Sequence, residues 1–160
     1  MPKRKDKLVV ALVGNAGGHL VELQALAPAF EGHEVYYVTQ DYDWTRDLAD
    51  TYRIRRFAGP RLFWVRFAIY VMVSWLQIGW LWLRRRPDCI VSTGAEITIP
   101  AFYLGKLLRI RTVYVECYTR VHTPSRAAKL VMPVTDVFYS QQAPMVAHDP
   151  QRIRYAGCVL

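Results

Sequence analysis

The chain has 160 residues and is 52% hydrophobic, which is ample for one packed core and short for two full domains. Lys and Arg outnumber Asp and Glu by 21 to 13, and the excess gathers in KRKDK at the start, RIRR at 53–56, Arg61, Arg66 and RRR at 84–86. Such clustering predicts an anionic partner: nucleic acid, lipid headgroups or a phosphorylated substrate. Cys89, Cys117 and Cys158 are odd in number and lack metal-ligand spacing, so neither a zinc module nor a disulfide framework is expected and a reducing compartment is the simplest setting.

KLVVALV reads as a buried strand; it is short and enters a glycine turn without a cleavage site, unlike a signal peptide. GHLVELQALAPAF follows as a helix with Leu23, Leu26, Ala27 and Phe30 on one face, ended or kinked by Pro28. A second strand is expected over Val35 to Thr39, a short polar helix over DYDWTRDLADTY and a weaker third strand in YRIRRFAG. A long apolar helix then runs to Pro87. Beyond it come a strand in DCIVSTG, a helix in ITIPAFYLGKLLRI with Pro100 in its first turn, and a strand in RTVYVE. SRAAKLVMPVT reads as a helix, DVFYSQQ as a sixth strand, and RIRYAGCVL as a seventh strand or an exit tail. This alternation predicts a single α/β domain over 1–160, a Rossmann-like doubly wound sheet whose ligand meets the loops at the carboxyl ends of the strands.

Three of those loops carry candidate chemistry. GNAGGH places Gly14, Asn15, Gly17 and Gly18 between a strand and a helix, where free N–H groups can cradle an anion. The spacing matches neither a dinucleotide fingerprint nor a P-loop, so a tight turn, a phosphate cradle and a catalytic loop around His19 all fit. STGAEITIP repeats the arrangement with Thr93, Gly94 and Ala95 as possible N–H donors, although the carboxylate of Glu96 would compete with a phosphate. Glu116, ending the RTVYVE strand, is the best-placed general base, with a buried pairing to Arg120 as the rival role; Arg120 could equally clamp a diphosphate. No carboxylate pair requires a metal. D-Y-D at Asp41 to Asp43 matches a metal-binding D-x-D only formally.

Residues 62–86 admit a transmembrane helix, a membrane-surface helix or a buried one. Phe67 to Leu83 is a run of seventeen uncharged residues, at the lower limit for crossing a bilayer, and a crossing would divide one sheet between two compartments. Trp64, Trp75, Trp80 and Trp82, flanked by Arg66, Arg84, Arg85 and Arg86, suit headgroup depth, so an in-plane or shallowly inserted helix on an anionic membrane is the preferred reading. The basic residues frame this apolar helix rather than any DNA or RNA module, and no nucleic-acid partner is expected.

GNAGGHLVEL, VSTGAEITIP and VECYTRVHTPSRAAKLVMPVTDVFYSQQ together resemble the membrane-associated subunit of two-chain GT-B glycosyltransferases. One branch of that family serves dolichol-linked oligosaccharide synthesis, and another, including glucuronosyltransferase subunits, serves bacterial capsule and exopolysaccharide assembly. Length fits the bacterial branch. The resemblance implies the N-terminal, acceptor-side half of a GT-B enzyme at the cytoplasmic face of the cell membrane, with a cytosolic partner chain supplying most of the UDP-sugar site. It implies a polyprenyl-diphosphate-linked acceptor, a UDP-sugar as donor substrate, and no cofactor. By that similarity Gly14, Asn15, Gly17 and Gly18 form the first glycine loop, Thr93, Gly94 and Ala95 the second, with His19, Glu116 and Arg120 matching the remaining motif residues. A non-catalytic anchor that recruits and activates the transferase chain is the alternative.

Overall fold

The computed structural model describes residues 7–55 and 63–159. The runs of β-branched and aromatic residues form seven strands: β1 (Val9–Val13), β2 (Glu34–Gln40), β3 (Thr51–Ile54), β4 (Cys89–Ser92), β5 (Arg111–Val115), β6 (Val137–Ser140) and β7 (Ile153–Tyr155). Between them lie α1 (Gly18–Leu26), α2 (Phe63–Arg84), α3 (Thr98–Leu107) and α4 (Arg126–Val131). All strands pair in parallel, in the order β3-β2-β1-β4-β5-β6-β7. The chain winds outward from β1 to β3, returns through α2, and restarts at β4 beside β1. Val13 pairs with Ser92, so the loops leaving β1 and β4 begin level and diverge, opening the crevice at the switch point of the sheet.

Helices cover both faces of this sheet, which is why LVVALV is apolar throughout rather than alternating. Val10 and Leu12 pack with Leu23 of α1, while Ala11 and Val13 face a larger cluster containing Ile78, Trp82, Phe102 and Tyr114. The α-helical part of GHLVELQALAPAF ends at Leu26 and Ala27–Phe30 continues as a 3-10 turn, because Pro28 has no N–H for the α-helical bond. Within RIRYAGCVL, Ile153–Tyr155 form the seventh strand, and residues 156–159 follow without regular structure.

One element differs. The polar helix expected over DYDWTRDLADTY is reduced to a single 3-10 turn, Asp43–Thr45. The Arg53 guanidinium, reaching back from β3, occupies the carbonyls of Thr45 and Arg46, which a continuing helix would need as acceptors. Of the D-Y-D carboxylates, Asp43 pairs on the surface with Arg46 at 3.1 Å.

α2 buries Ser74, Ile78, Leu81 and Trp82, at helical spacing, against the sheet and α3. Trp82 is only 1% exposed. It is a core residue, which corrects its assignment to the membrane-facing set. Arg85 is corrected as well: its guanidinium bonds Asp50 at 2.7 Å and Glu34 at 2.8 Å and lies 4.3 Å from the Tyr36 ring centre, so its charge is matched within the protein. Arg86 donates to the Leu108 carbonyl. Trp64 and Arg66 lie on α2, but their side chains fall outside the described residues, as does Arg61 altogether. No helix of the described residues is long and apolar enough to cross a membrane.

The Arg85 contact holds the Asp50 carboxyl below the usual carboxylate range. A carboxylate lowered on folding stabilises fully above its unfolded value, and the contribution is lost as pH falls through the lowered one. Asp50→Asn should therefore cost about 0.5 kcal/mol at neutral pH, as befits a half-exposed pair. The difference from the parent should vanish in strongly acid solution; urea midpoints at both pH values measure it.

Candidate functional site

The crevice between β1 and β4 is walled by three loops. The first begins at Gly14, which is buried and donates its N–H to the Val38 carbonyl at 3.1 Å; a Cβ there would lie 2.7 Å from Leu23 Cδ1. Gly17, at φ +131°, caps α1 without any side-chain bond. The N–H groups of Leu20 and Val21 both turn back to the Gly17 carbonyl. Among the described residues no group accepts from the N–H of Gly18 or His19, and a Cβ added at Gly17 or Gly18 would meet nothing within 4 Å. Free donors, open space and the positive end of a helix are the ingredients of an anion site. The side-chain oxygen of Asn15 is buried here without a partner.

The second loop is closed on itself. Ser92 Oγ accepts the Gly94 N–H at 3.1 Å and lies 2.6 Å from Thr98 Oγ1, which donates to the Gly94 carbonyl at 2.7 Å. Thr93 is buried, and its hydroxyl donates to the His19 carbonyl at 2.9 Å. The expected phosphate-donor role of the Gly94 N–H is thereby corrected, because Ser92 Oγ takes that N–H, while the Thr93 hydroxyl is spent on the His19 carbonyl. What the loop does is seat His19. Gly94 has φ +126°, and a Cβ there would stand 3.0 Å from His19 Cε1 and 2.9 Å from the Tyr114 hydroxyl. Ala95 follows at φ +76°, half-buried, and Glu96 accepts from Gln40 Nε2 at 3.2 Å.

Glu116 is 1% exposed. One of its oxygens accepts the Cys117 N–H at 3.0 Å and the other the Ser125 N–H at 2.8 Å. Burial pushes this carboxyl up, and the two N–H bonds partly offset the push. Enclosed and engaged at both oxygens, Glu116 is built to hold the third loop, residues 116–125, rather than to meet a substrate hydroxyl. The rival pairing does not form either: Arg120 is exposed and makes no ion pair with Glu116 within 4.0 Å. Gln141 and Gln142 brace the same loop from the end of β6, donating to the carbonyls of Glu116 and Tyr118.

Sequence reasoning missed Glu22. It is buried on α1, one turn beyond His19, and its Oε1 accepts the Tyr118 N–H at 2.9 Å, tying the first loop's helix to the third loop. Its Oε2 lies 4.0 Å from His19 Nδ1. The available signal was the H-x-x-E spacing, which puts both side chains on one helical face. Cys117, which forms no disulfide, stands beside them; Nδ1 or Nε2 of His19, a carboxylate oxygen of Glu22 and Sγ of Cys117 lie within 4.8 Å of one another.

An all-parallel seven-stranded sheet flanked by helices is the Rossmann-like fold of the N-terminal half of GT-B transferases. Residues 9–159 match the family model described as "Oligosaccharide biosynthesis protein Alg14 like", and the chain belongs to that family. No curated protein matches it in sequence. Among solved structures it is similar to MurG of Acinetobacter baumannii, with a TM-score of 0.71 and 13% identity over 94% of this chain and 45% of that one. The UDP-GlcNAc 2-epimerase of Methanocaldococcus jannaschii, solved with UDP-GlcNAc and UDP, gives 0.72 and 13% over 94% and 47%. The glycotransferase of kitacinnamycin gives 0.66 and 15% over 96% and 52%. The chain thus spans about half the length of the structures it matches.

Proposed function

We propose that this chain is the acceptor-side half of a two-chain glycosyltransferase acting in capsule or exopolysaccharide synthesis. A sugar, of the glucuronosyl or N-acetylglucosaminyl type, passes from a UDP-sugar to a saccharide on a polyprenyl diphosphate. The observation that carries the proposal is the juxtaposition, at the uncapped start of α1, of N–H groups of Gly18 and His19 that find no acceptor among the described residues, of open space beside Gly17 and Gly18, and of the half-exposed imidazole of His19. The N–H groups of Gly18 and His19, with Asn15 and the exposed Arg120 at the rim, bind the acceptor diphosphate. His19 takes the proton of the attacking hydroxyl. A cytosolic partner chain supplies the donor-binding half. No metal has a part in this scheme.

α2 supports work at a membrane surface. Val65, Met72, Leu76, Trp80 and Leu83 form an exposed apolar stripe opposite the buried face, with the Arg84 guanidinium 4.2 Å from the Trp80 ring centre. In this reading the helix lies in the interface of the cytoplasmic leaflet, with its arginine end against anionic headgroups. Leu76 and Leu83 are 69% and 80% exposed, so replacing both with Gln should leave the urea midpoint unchanged. It should weaken binding to phosphatidylglycerol vesicles by about tenfold or more, from the apolar area withdrawn from lipid; vesicle sedimentation measures the change.

The functional test is reconstitution. The chain and a donor-binding partner, supplied with a UDP-sugar and a polyprenyl-diphosphate saccharide, should transfer sugar only when both chains are present. Full turnover by the partner alone would sink the proposal. Turnover that needs this chain but ignores the loss of His19 would instead make it the recruiting anchor.

A further inference from the structure

His19 Nδ1 and Glu22 Oε2 are both buried, face each other at 4.0 Å, and have no hydrogen-bond partner. Two desolvated polar atoms left open toward one another call for an account. The carboxylate cannot turn away without losing the Tyr118 N–H, which its other oxygen holds at 2.9 Å. The ring is confined from the other side by Gly94, whose backbone approaches so closely that a Cβ would lie 3.4 Å from Nδ1. His19 is nonetheless 31% exposed at its side chain, and Nε2, which is not among the buried unpartnered atoms and makes no hydrogen bond, is its accessible nitrogen.

We propose that Glu22 is the positioning residue of His19, holding the imidazole in its Nδ1–H form so that Nε2 is the nitrogen that receives a hydroxyl proton. The inference deepens the function proposed above and rests on it for the identity of the reaction. Approach by about 1 Å brings Nδ1–H and the carboxylate oxygen to charge-assisted hydrogen-bond distance. In the transfer step the acceptor O–H bond breaks and its proton goes to Nε2, while the oxygen bonds to the anomeric carbon. The bond from that carbon to the diphosphate oxygen breaks, and its electron pair leaves with the nucleoside diphosphate. The imidazolium then carries N–H at both nitrogens, and the Glu22 carboxylate faces the new charge.

The test is the ring tautomer, read by proton–nitrogen NMR on full-length chain labelled with 15N-histidine, with His19→Gln assigning the signal among the four histidines. The neutral ring of the parent should show Nδ1–H. In Glu22→Gln the amide oxygen can still accept the Tyr118 N–H while its NH₂ points at Nδ1, so the tautomer should change to Nε2–H. In the reconstituted two-chain enzyme the same variant should lose about tenfold or more in kcat with KM within about twofold. It should lose nothing further in a His19→Ala background. An Nε2–H tautomer in the parent, or losses that add in the double variant, would overturn the proposal. So would Zn²⁺ binding by the parent that is abolished in Cys117→Ser, which would assign the trio to a cation. If the tautomers behave as expected but the complex transfers no sugar, the proposed reaction fails and the pairing stands; normal transfer with an Nε2–H parent fails the pairing alone.

Discussion

His19→Ala should reduce kcat of the proposed two-chain enzyme by about 10²- to 10⁴-fold, the range a positioned general base contributes. Binding of the lipid diphosphate should change little, because the donors assigned to it are backbone N–H groups that the substitution leaves in place. The fold should survive too. The side chain is 31% exposed, and the bond that seats the loop runs from Thr93 Oγ1 to the His19 carbonyl, which alanine retains. Steady-state kinetics with saturating lipid acceptor decide the matter: a parent-like kcat would remove His19 from the chemistry.

Gly94→Ala should damage stability and activity together. The backbone there sits at φ +126°, and the added Cβ would meet the Tyr114 hydroxyl at 2.9 Å and His19 Cε1 at 3.0 Å. Tyr114 cannot retreat: it is fully buried, stacked on Phe138 at 4.9 Å and edge-on to Phe102 at 6.0 Å. The left-handed strain and the overlap together should cost about 2–4 kcal/mol. Part of the overlap should be relieved by displacing the imidazole, so turnover should fall even under conditions where the variant is folded. Urea denaturation and kcat, measured on the same preparation, check both halves of the expectation. A variant with normal stability would mean that the Gly94 backbone does not adopt this conformation.

The sheet was readable from the chain because its signal is local. LVVALV is apolar at every position, which fits a central strand covered on both faces, and the glycine loops after β1 and β4 fall where a doubly wound sheet opens its crevice. What stayed hidden depends on partners far away in sequence. Trp80 and Trp82 belong to one apolar run, yet the first is 48% exposed and the second is in the core; a helix apolar on both faces does not declare which one meets the sheet. Arg84 and Arg85 are adjacent, but Arg84 stacks outward on Trp80, whereas Arg85 answers to Glu34 and Asp50 on other elements. The second glycine loop looks like the first until the hydroxyls of Ser92 and Thr98 close it. Glu116, the obvious carboxylate, turns inward to two backbone N–H groups, while Glu22, concealed in an ordinary helical stretch, faces the histidine.

The division of labour behind these assignments can be tested on the isolated chain. Farnesyl diphosphate, a soluble stand-in for the lipid diphosphate, and UDP-N-acetylglucosamine should each be titrated into the full-length protein while backbone amide NMR shifts are followed. An acceptor-side half should bind farnesyl diphosphate with shifts centred on the amides of Gly17, Gly18 and His19, and should leave the nucleotide sugar unbound. Binding of UDP-N-acetylglucosamine at the start of α1, with no response there to farnesyl diphosphate, would place the donor in this chain and contradict the account.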